Sequence, residues 1–208
     1  MEKKLLIKYI DVDICQQEES VLQTVNLEIH AGEFVYLLGK VGSGKSSLLK
    51  SIYHELPVSG GSADVLGYNL NTIKFKEVPF LRRKIGIVFQ DFQLLTDRTV
   101  SQNLDFVLRA TGWKDQNAID EQIDNVLTQV GMRAKGYKRP HELSGGEQQR
   151  IVIARALLNS PEIIIADEPI GNLDELTGNE LIDLLYNIRL SGTTVVMATH
   201  NLAWIDKY

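Results

Sequence analysis

Apolar and β-branched residues crowd positions 5–14 and again 25–29, the composition of strands bounded by polar turns. Ala31, Gly32 and Glu33 form a turn into a third apolar run at 34–38, and strands this close in sequence are simplest as antiparallel neighbours. Residues 57–61 are a Pro/Gly/Ser break, after which 63–67 reads as a short strand. The run at 85–89 is apolar throughout, as expected of a strand buried on both faces of a parallel sheet. Between 99 and 130 the period changes. Val100, Leu104, Val107 and Leu108, then Ile119, Ile123, Val126, Leu127 and Val130, recur at helical spacing, with breaks at Gly112 and Gly131. Such stripes predict core-facing helices. A helix over 147–158, a strand over 163–167, a helix over 175–190 and a strand over 194–198 complete the pattern. Alternating strands and helices imply parallel βαβ units. The fold class is therefore α/β, with an antiparallel β region near the N-terminus and a helical block inserted between halves of the parallel sheet.

Composition narrows the setting. At 208 residues and 44% hydrophobic, the chain can bury one sizeable core with a subdomain attached. A formal charge of −5 argues against general nucleic-acid binding, which needs a basic face. No apolar run approaches the ~20 residues that span a bilayer. The first residues carry charge and no cleavage site, so no signal peptide is expected. The single cysteine, Cys15, excludes an internal disulfide and fits a reducing cytoplasm. A membrane role would have to come through a partner.

The chemistry centres on Gly39, Lys40, Val41, Gly42, Ser43, Gly44, Lys45 and Ser46, followed by Ser47. This stretch joins an apolar strand to a helix, the context in which G-x-x-x-x-G-K-[ST] is a phosphate-binding loop. Its glycines let successive N–H groups turn toward one anion, and the helix N-terminus adds its positive end. Lys45 can reach the β- and γ-phosphates, and the Ser46 hydroxyl can ligate Mg²⁺. Lys40 is an extra cation, read as pointing outward into solvent. The expected ligand is a nucleoside triphosphate.

Two further stretches say what is done with it. IIIADE, at 163–168, is an apolar strand ending in two carboxylates. Parallel sheets bind ligands at the carboxyl ends of their strands, so Asp167 and Glu168 are expected beside the loop. Asp167 suits a water of hydrated Mg²⁺, and Glu168 a general base on the attacking water. A helix-capping turn is the plainer use of such a pair; the phosphate loop favours the catalytic one. In LSGGEQQR, Ser144, Gly145, Gly146 and Glu147 make a second glycine turn opening a second helix, hence another anion site. One triphosphate does not need two such sites on one chain. A two-fold dimer, with this turn closing on the γ-phosphate held by the partner's loop, is the economical solution. Ser144 and Glu147 also have capping-box spacing, which is compatible with that role.

With these motifs the chain resembles the ATP-binding-cassette (ABC) ATPase family over nearly its whole length. GKVGSGKS and IIIADE resemble the family's nucleotide motifs, and LSGGEQQR its signature. By that resemblance Gln90, ending IGIVFQ, approaches Mg²⁺, and its loop faces a membrane partner. Asp174, in GNLD, belongs to the loop that crosses the dimer interface. His200, ending TTVVMATH, is the switch histidine at the γ-phosphate. The resemblance implies a β region and RecA-like core over 1–90 and 144–208, a helical subdomain over about 91–143, and two subunits sandwiching two MgATP. FQDFQLLTDRTV, at 89–100, is similar to the cassettes of bacterial cell division, with Asp97 and Arg98 as the distinguishing pair. That implies a cytoplasmic ATPase held at the inner face of the plasma membrane by an integral membrane partner, controlling cell-wall hydrolases. A lipoprotein-release or macrolide-export cassette is the alternative. The acidic balance speaks against a soluble cassette of DNA repair or translation, and Glu168 with His200 against a scaffold without turnover. Phe92, Leu94 and Leu95 stand either as exposed partner contacts or as residues packed on the helical block.

Two positions depart from the family's pattern. Aligning 12–22 with the region where an aromatic commonly stacks on adenine puts Cys15 there, which implies base binding that is weaker or less selective for adenine. Ile170 stands where threonine is usual. The sequence also stops soon after His200, so a final strand is expected to be missing or trimmed.

Overall fold

The structure, a computed structural model, describes residues 3–16 and 19–200. The chain runs β1 (Leu5–Gln16), β2 (Glu19–His30), β3 (Phe34–Leu38), α1 (Lys45–Ile52), β4 (Val58–Ser59), β5 (Ser62–Val65) and β6 (Tyr68–Asn69). It continues through α2 (Val78–Arg83), β7 (Ile85–Val88), α3 (Val100–Ala110), α4 (Gln116–Gln129), α5 (Gly145–Leu157), β8 (Ile163–Asp167), α6 (Glu175–Leu190) and β9 (Thr194–Thr199). Two short 3-10 turns, Arg133–Lys135 and Pro140–Glu142, lead into α5.

Among the described residues the strands form two sheets. β1 pairs antiparallel with β2 on one side and with β4 and β5 on the other, and β6 extends from β5. β3 does not join β2, contrary to the expectation from their spacing. The turn between them is captured by β9: the Gly32 N–H donates to Thr194 Oγ1 at 2.9 Å and the Val195 N–H to the Glu33 carbonyl at 3.0 Å. From there β3 runs parallel to β9, in a second sheet of order β3-β9-β8-β7. All pairings in that sheet are parallel, so its carboxyl ends share one edge. Gly39 follows β3 at this edge, His200 follows β9, Glu168 follows β8, and Gln90 lies just beyond β7.

Both faces of the parallel sheet are covered. Ile163, Ile165, Val196 and Ala198 enter a core shared with β1, β5 and α1. Ile164, Ala166, Val195 and Met197 enter a second core with α3, α4, α5 and α6. This two-way division explains why β8 and β9 are apolar at nearly every position. α3 and α4 bury the predicted stripes, Val100, Leu104 and Leu108 on one and Ile119, Ile123, Val126 and Leu127 on the other. Thr99 and Gln102 close a capping box at the start of α3, and Asp115 caps α4. Phe92 and Leu94 are half-buried against this second core, so packing accounts for them; Leu95 stays 37% exposed. Ile170 is buried in the same core. α2 does not stand out in the hydrophobic pattern, being only six residues with Pro in its first turn. The expected final strand concerns residues outside those described.

Candidate active site

The phosphate loop leaves β3 and turns into α1 at Gly44. That residue has φ 87°, and Leu22 of β2 approaches to 2.8 Å of where its Cβ would stand, so any side chain would meet both strain and a clash. No side chain caps α1, which leaves its first N–H groups for an anion. Lys45 folds back over the loop, donating from Nζ to the carbonyls of Gly39 at 2.7 Å and Lys40 at 3.1 Å. Lys40 itself is exposed, as the sequence reading has it, and so are Val41, Gly42, Ser43 and Ser46. A cavity of about 280 Å³ borders the loop, lined by residues 42–47 together with Gln16 and Val21.

Glu168 faces this loop. Its Oε1 lies 2.8 Å from His200 Nδ1 and 4.0 Å from Lys45 Nζ. The backbone there is left-handed, with φ 46°. It is fixed by the Glu168 N–H donating to the Ala198 carbonyl at 3.0 Å and by the Gly171 N–H donating to the Glu168 carbonyl at 3.1 Å. Such a conformation costs of order 1–3 kcal/mol outside glycine and concentrates where function over-determines it. One residue earlier, Asp167 Oδ1 is buried with no hydrogen-bond partner, an acceptor in want of a donor or a cation. Gln90 Nε2 would stand 3.5 Å from a Cβ on Gly171, a position that would also contact the Glu168 backbone. Lys45, Glu168, His200 and Gln90 thus meet at the carboxyl edge of the parallel sheet, although they come from four separate stretches of sequence.

The second glycine turn lies apart from them. Ser144 caps α5 by accepting from the Glu147 N–H at 3.3 Å, while Glu147 Oε2 accepts from the Ser144 N–H at 2.9 Å, the expected capping box. That N–H, then the Lys135 ammonium, holds the Glu147 carboxyl below the ordinary range. A Cβ on Gly146 would stand 2.4 Å from the Thr177 methyl, so α5 and α6 need a glycine to pack this closely. Gly145 lies against Leu173, placing the turn beside the 171–174 loop. Asp174 there caps α6 and accepts from both the Thr177 N–H and its hydroxyl, which hold its carboxyl low. Neither Ser144 nor Asp174 lines the cavity at the phosphate loop.

Gln16 lines the cavity at the phosphate loop, and its neighbour Cys15 does not; Cys15 Sγ lies 3.7 Å from Ser59 Oγ. An aromatic facing the base is expected to tighten ATP binding by about tenfold, for a base–aromatic stack of ~1–3 kcal/mol. Equilibrium titration of Cys15→Tyr and Gln16→Tyr shows which position faces the base; an unchanged dissociation constant in both would place it elsewhere.

Comparison with known proteins gives the family. The ABC transporter family matches residues 22–171, and the chain belongs to that family. It is an ATPase with the P-loop fold of ABC cassettes. Among its relatives are cell division ATP-binding proteins named FtsE. It is 47% identical over 182 residues to that of Streptococcus pneumoniae, covering 88% of this chain and 79% of the relative. To FtsE of Bacillus subtilis it is 48% identical over 180 residues, covering 86% and 78%. To that of Escherichia coli it is 41% identical over 186 residues, covering 89% and 83%. Among solved structures, the dimeric cassette MJ0796 in a post-hydrolysis state with ADP and Pi matches with a TM-score of 0.83 and 34% identity, over 95% of this chain and 89% of that one. The cbiO1 protein of Clostridium perfringens, part of the ABC transporter complex cbiONQ, matches with a TM-score of 0.87 and 30% identity, over 96% and 80%.

Proposed function

We propose that two copies of the chain close over two ATP molecules, each held between one copy's phosphate loop and the other's Ser144 turn, and that Glu168 takes the proton of the attacking water. The observation that carries this reading is the meeting of Lys45 and His200 at Glu168, at 4.0 and 2.8 Å, with Ser144 outside the cavity that Lys45 borders. Bound phosphate would draw Lys45 away from the Gly39 and Lys40 carbonyls, exchanging two neutral acceptors for a charged one. The α1 N–H groups receive the phosphates, with Ser47 at the loop's end. His200 holds Glu168 oriented and presents its ring toward the γ-phosphate. The 171–174 loop, with Asp174, would cross to the second copy. Asp167, Ser46 and Gln90 fit Mg²⁺, because the buried Asp167 Oδ1 lacks a partner. When bound, that ion neutralises the charge that develops on the phosphate oxygens.

The finer role follows the FtsE relatives. In it the cassette acts through an FtsX-like integral membrane protein at the inner face of the plasma membrane, and its hydrolysis controls cell-wall hydrolases. No helix among the described residues is long and apolar enough to cross a membrane. Support for a protein partner comes from a groove of about 490 Å³ between α2, β7, α3 and α5. Phe80 on α2 and Phe106 on α3 remain exposed on its flanking helices, with the Arg83 and Arg98 guanidiniums over their rings at 5.3 and 4.8 Å. Arg98 belongs to the 91–100 loop, which Asn103 orders by accepting from the Leu95 N–H and donating to the Leu95 and Thr99 carbonyls. Reversing the charges, Asp97→Arg with Arg98→Asp, is expected to spare ATP binding and basal hydrolysis. It should weaken co-purification with the partner and remove the partner's stimulation of hydrolysis. Unaltered pull-down and stimulation would take this loop out of the coupling surface.

A further inference from the structure

α5 begins at the Ser144 turn, and two of its side chains reach the segment on either side of Gln90. Gln149 has no exposed surface; its Nε2 donates to the Phe89 carbonyl at 3.4 Å, and its Oε1 is buried without a partner. Six positions on, Arg155 donates from Nη1 to the Gln93 carbonyl at 2.6 Å and from Nη2 to the Phe92 carbonyl at 3.0 Å. Its guanidinium stands 5.8 Å from the Phe89 ring centre. A planar fork can satisfy two neighbouring carbonyls at once, which an ammonium cannot do with the same geometry. Gln93 is left-handed, with φ 51°, a conformation costing roughly 1–2 kcal/mol for such a residue. The Arg155 fork holds the carbonyl of that strained residue, and of the one before it.

The segment around Gln90 is thus fastened to α5 from both sides, whereas its pairing with the parallel sheet ends at Val88. We propose that Arg155, with Gln149, is a positioning residue for ATP hydrolysis: it holds the segment on either side of Gln90 against α5 and so fixes where the Gln90 side chain stands at the site. Arg155 also lines the groove between α2, β7, α3 and α5, together with Phe89. An occupant of that groove would touch the clamp directly, giving a partner a short route to Gln90. This inference rests on the placement of Gln90 at the metal and γ-phosphate proposed above.

The test is a double-mutant cycle in the full-length chain with Gln90→Ala, Arg155→Lys and the two combined. Arg155→Lys keeps the charge and loses the two-point fork. ATP affinity and melting temperature are measured beside kcat and KM, with amide exchange at residues 91–95. Arg155→Lys is expected to keep ATP affinity within about twofold while kcat falls about tenfold or more, with faster exchange at 91–95. In the Gln90→Ala background the same change should cost less than about twofold further, because a residue acting through Gln90 has nothing left to position. Equal losses in both backgrounds, or a kcat within about twofold of the parent in Arg155→Lys, would overturn the clamp. If Gln90→Ala alone leaves kcat unchanged, the placement of Gln90 fails, and the clamp's stated role with it. Should Arg155→Lys not fold, Gln149→Met removes the other grip and enters the same cycle, where additivity with Gln90→Ala again overturns the proposal.

Discussion

Glu168→Gln is expected to lower steady-state ATP hydrolysis by about 10²–10⁴, the usual contribution of a positioned general base, while ATP binding is retained. The substitution keeps the size of the side chain, and an amide oxygen can still accept from His200, so the 2.8 Å contact need not be lost. What disappears is the capacity to take a proton. Lys45, which carries the charge complementary to the triphosphate, is untouched, and its 4.0 Å separation from Glu168 shows that no tight ion pair has to break. Because binding survives and turnover stops, the ATP-bound form should accumulate. Colorimetric phosphate release measures the first effect and equilibrium titration of ATP the second. Parental turnover in Glu168→Gln would remove Glu168 from the role of base.

The second large effect concerns two chains at once. Lys45→Ala removes the cation that the loop folds around, and charge-assisted hydrogen bonds of this kind contribute about 1.5–3 kcal/mol. Ser144→Arg puts a bulky side chain and a positive charge at an exposed helix cap. Losing that cap alone costs ~1 kcal/mol, which a folded domain with two extensive cores should tolerate. Each variant alone is expected to be nearly inactive. Mixed, they form heterodimers with one site built from an intact Lys45 and an intact Ser144, and a second site carrying both defects. With random pairing, half the dimers are mixed and each has one good site, so about a quarter of parental activity should return. A single-chain site allows no recovery, since each chain would carry its own defect into its own site.

Much of this was legible in the sequence. The spacing of glycines and Lys45 between an apolar strand and a helix marks the phosphate loop, and the structure forms that junction. β8 and α6 have the limits their patterns predict, because each is bounded by strong signals: carboxylates end β8, and Asp174 caps α6. Convergence of Gln90, Glu168 and His200 is legible only through the parallel topology, which aligns the ends of strands far apart in sequence. The failures have local physical causes. β2 begins six residues before the expected start, because its polar half is held by backbone pairing with β1. β3 changes sheets because Thr194, 162 positions away, captures the Gly32 turn. The Arg155 clamp went unread, although a lone arginine amid Ile151, Val152, Ile153, Ala154 and Ala156 was the signal for it. A half-buried cation gains from partners, and this one has backbone carbonyls rather than an acid.

The central claim is that two chains enclose two ATP molecules and that only hydrolysis releases them. Sedimentation velocity of Glu168→Gln, with bound nucleotide counted after rapid desalting, tests it most directly. With MgATP the account predicts a species of twice the monomer mass holding two ATP, and with MgADP a monomer. A Glu168→Gln chain that stays monomeric while saturated with ATP would contradict it.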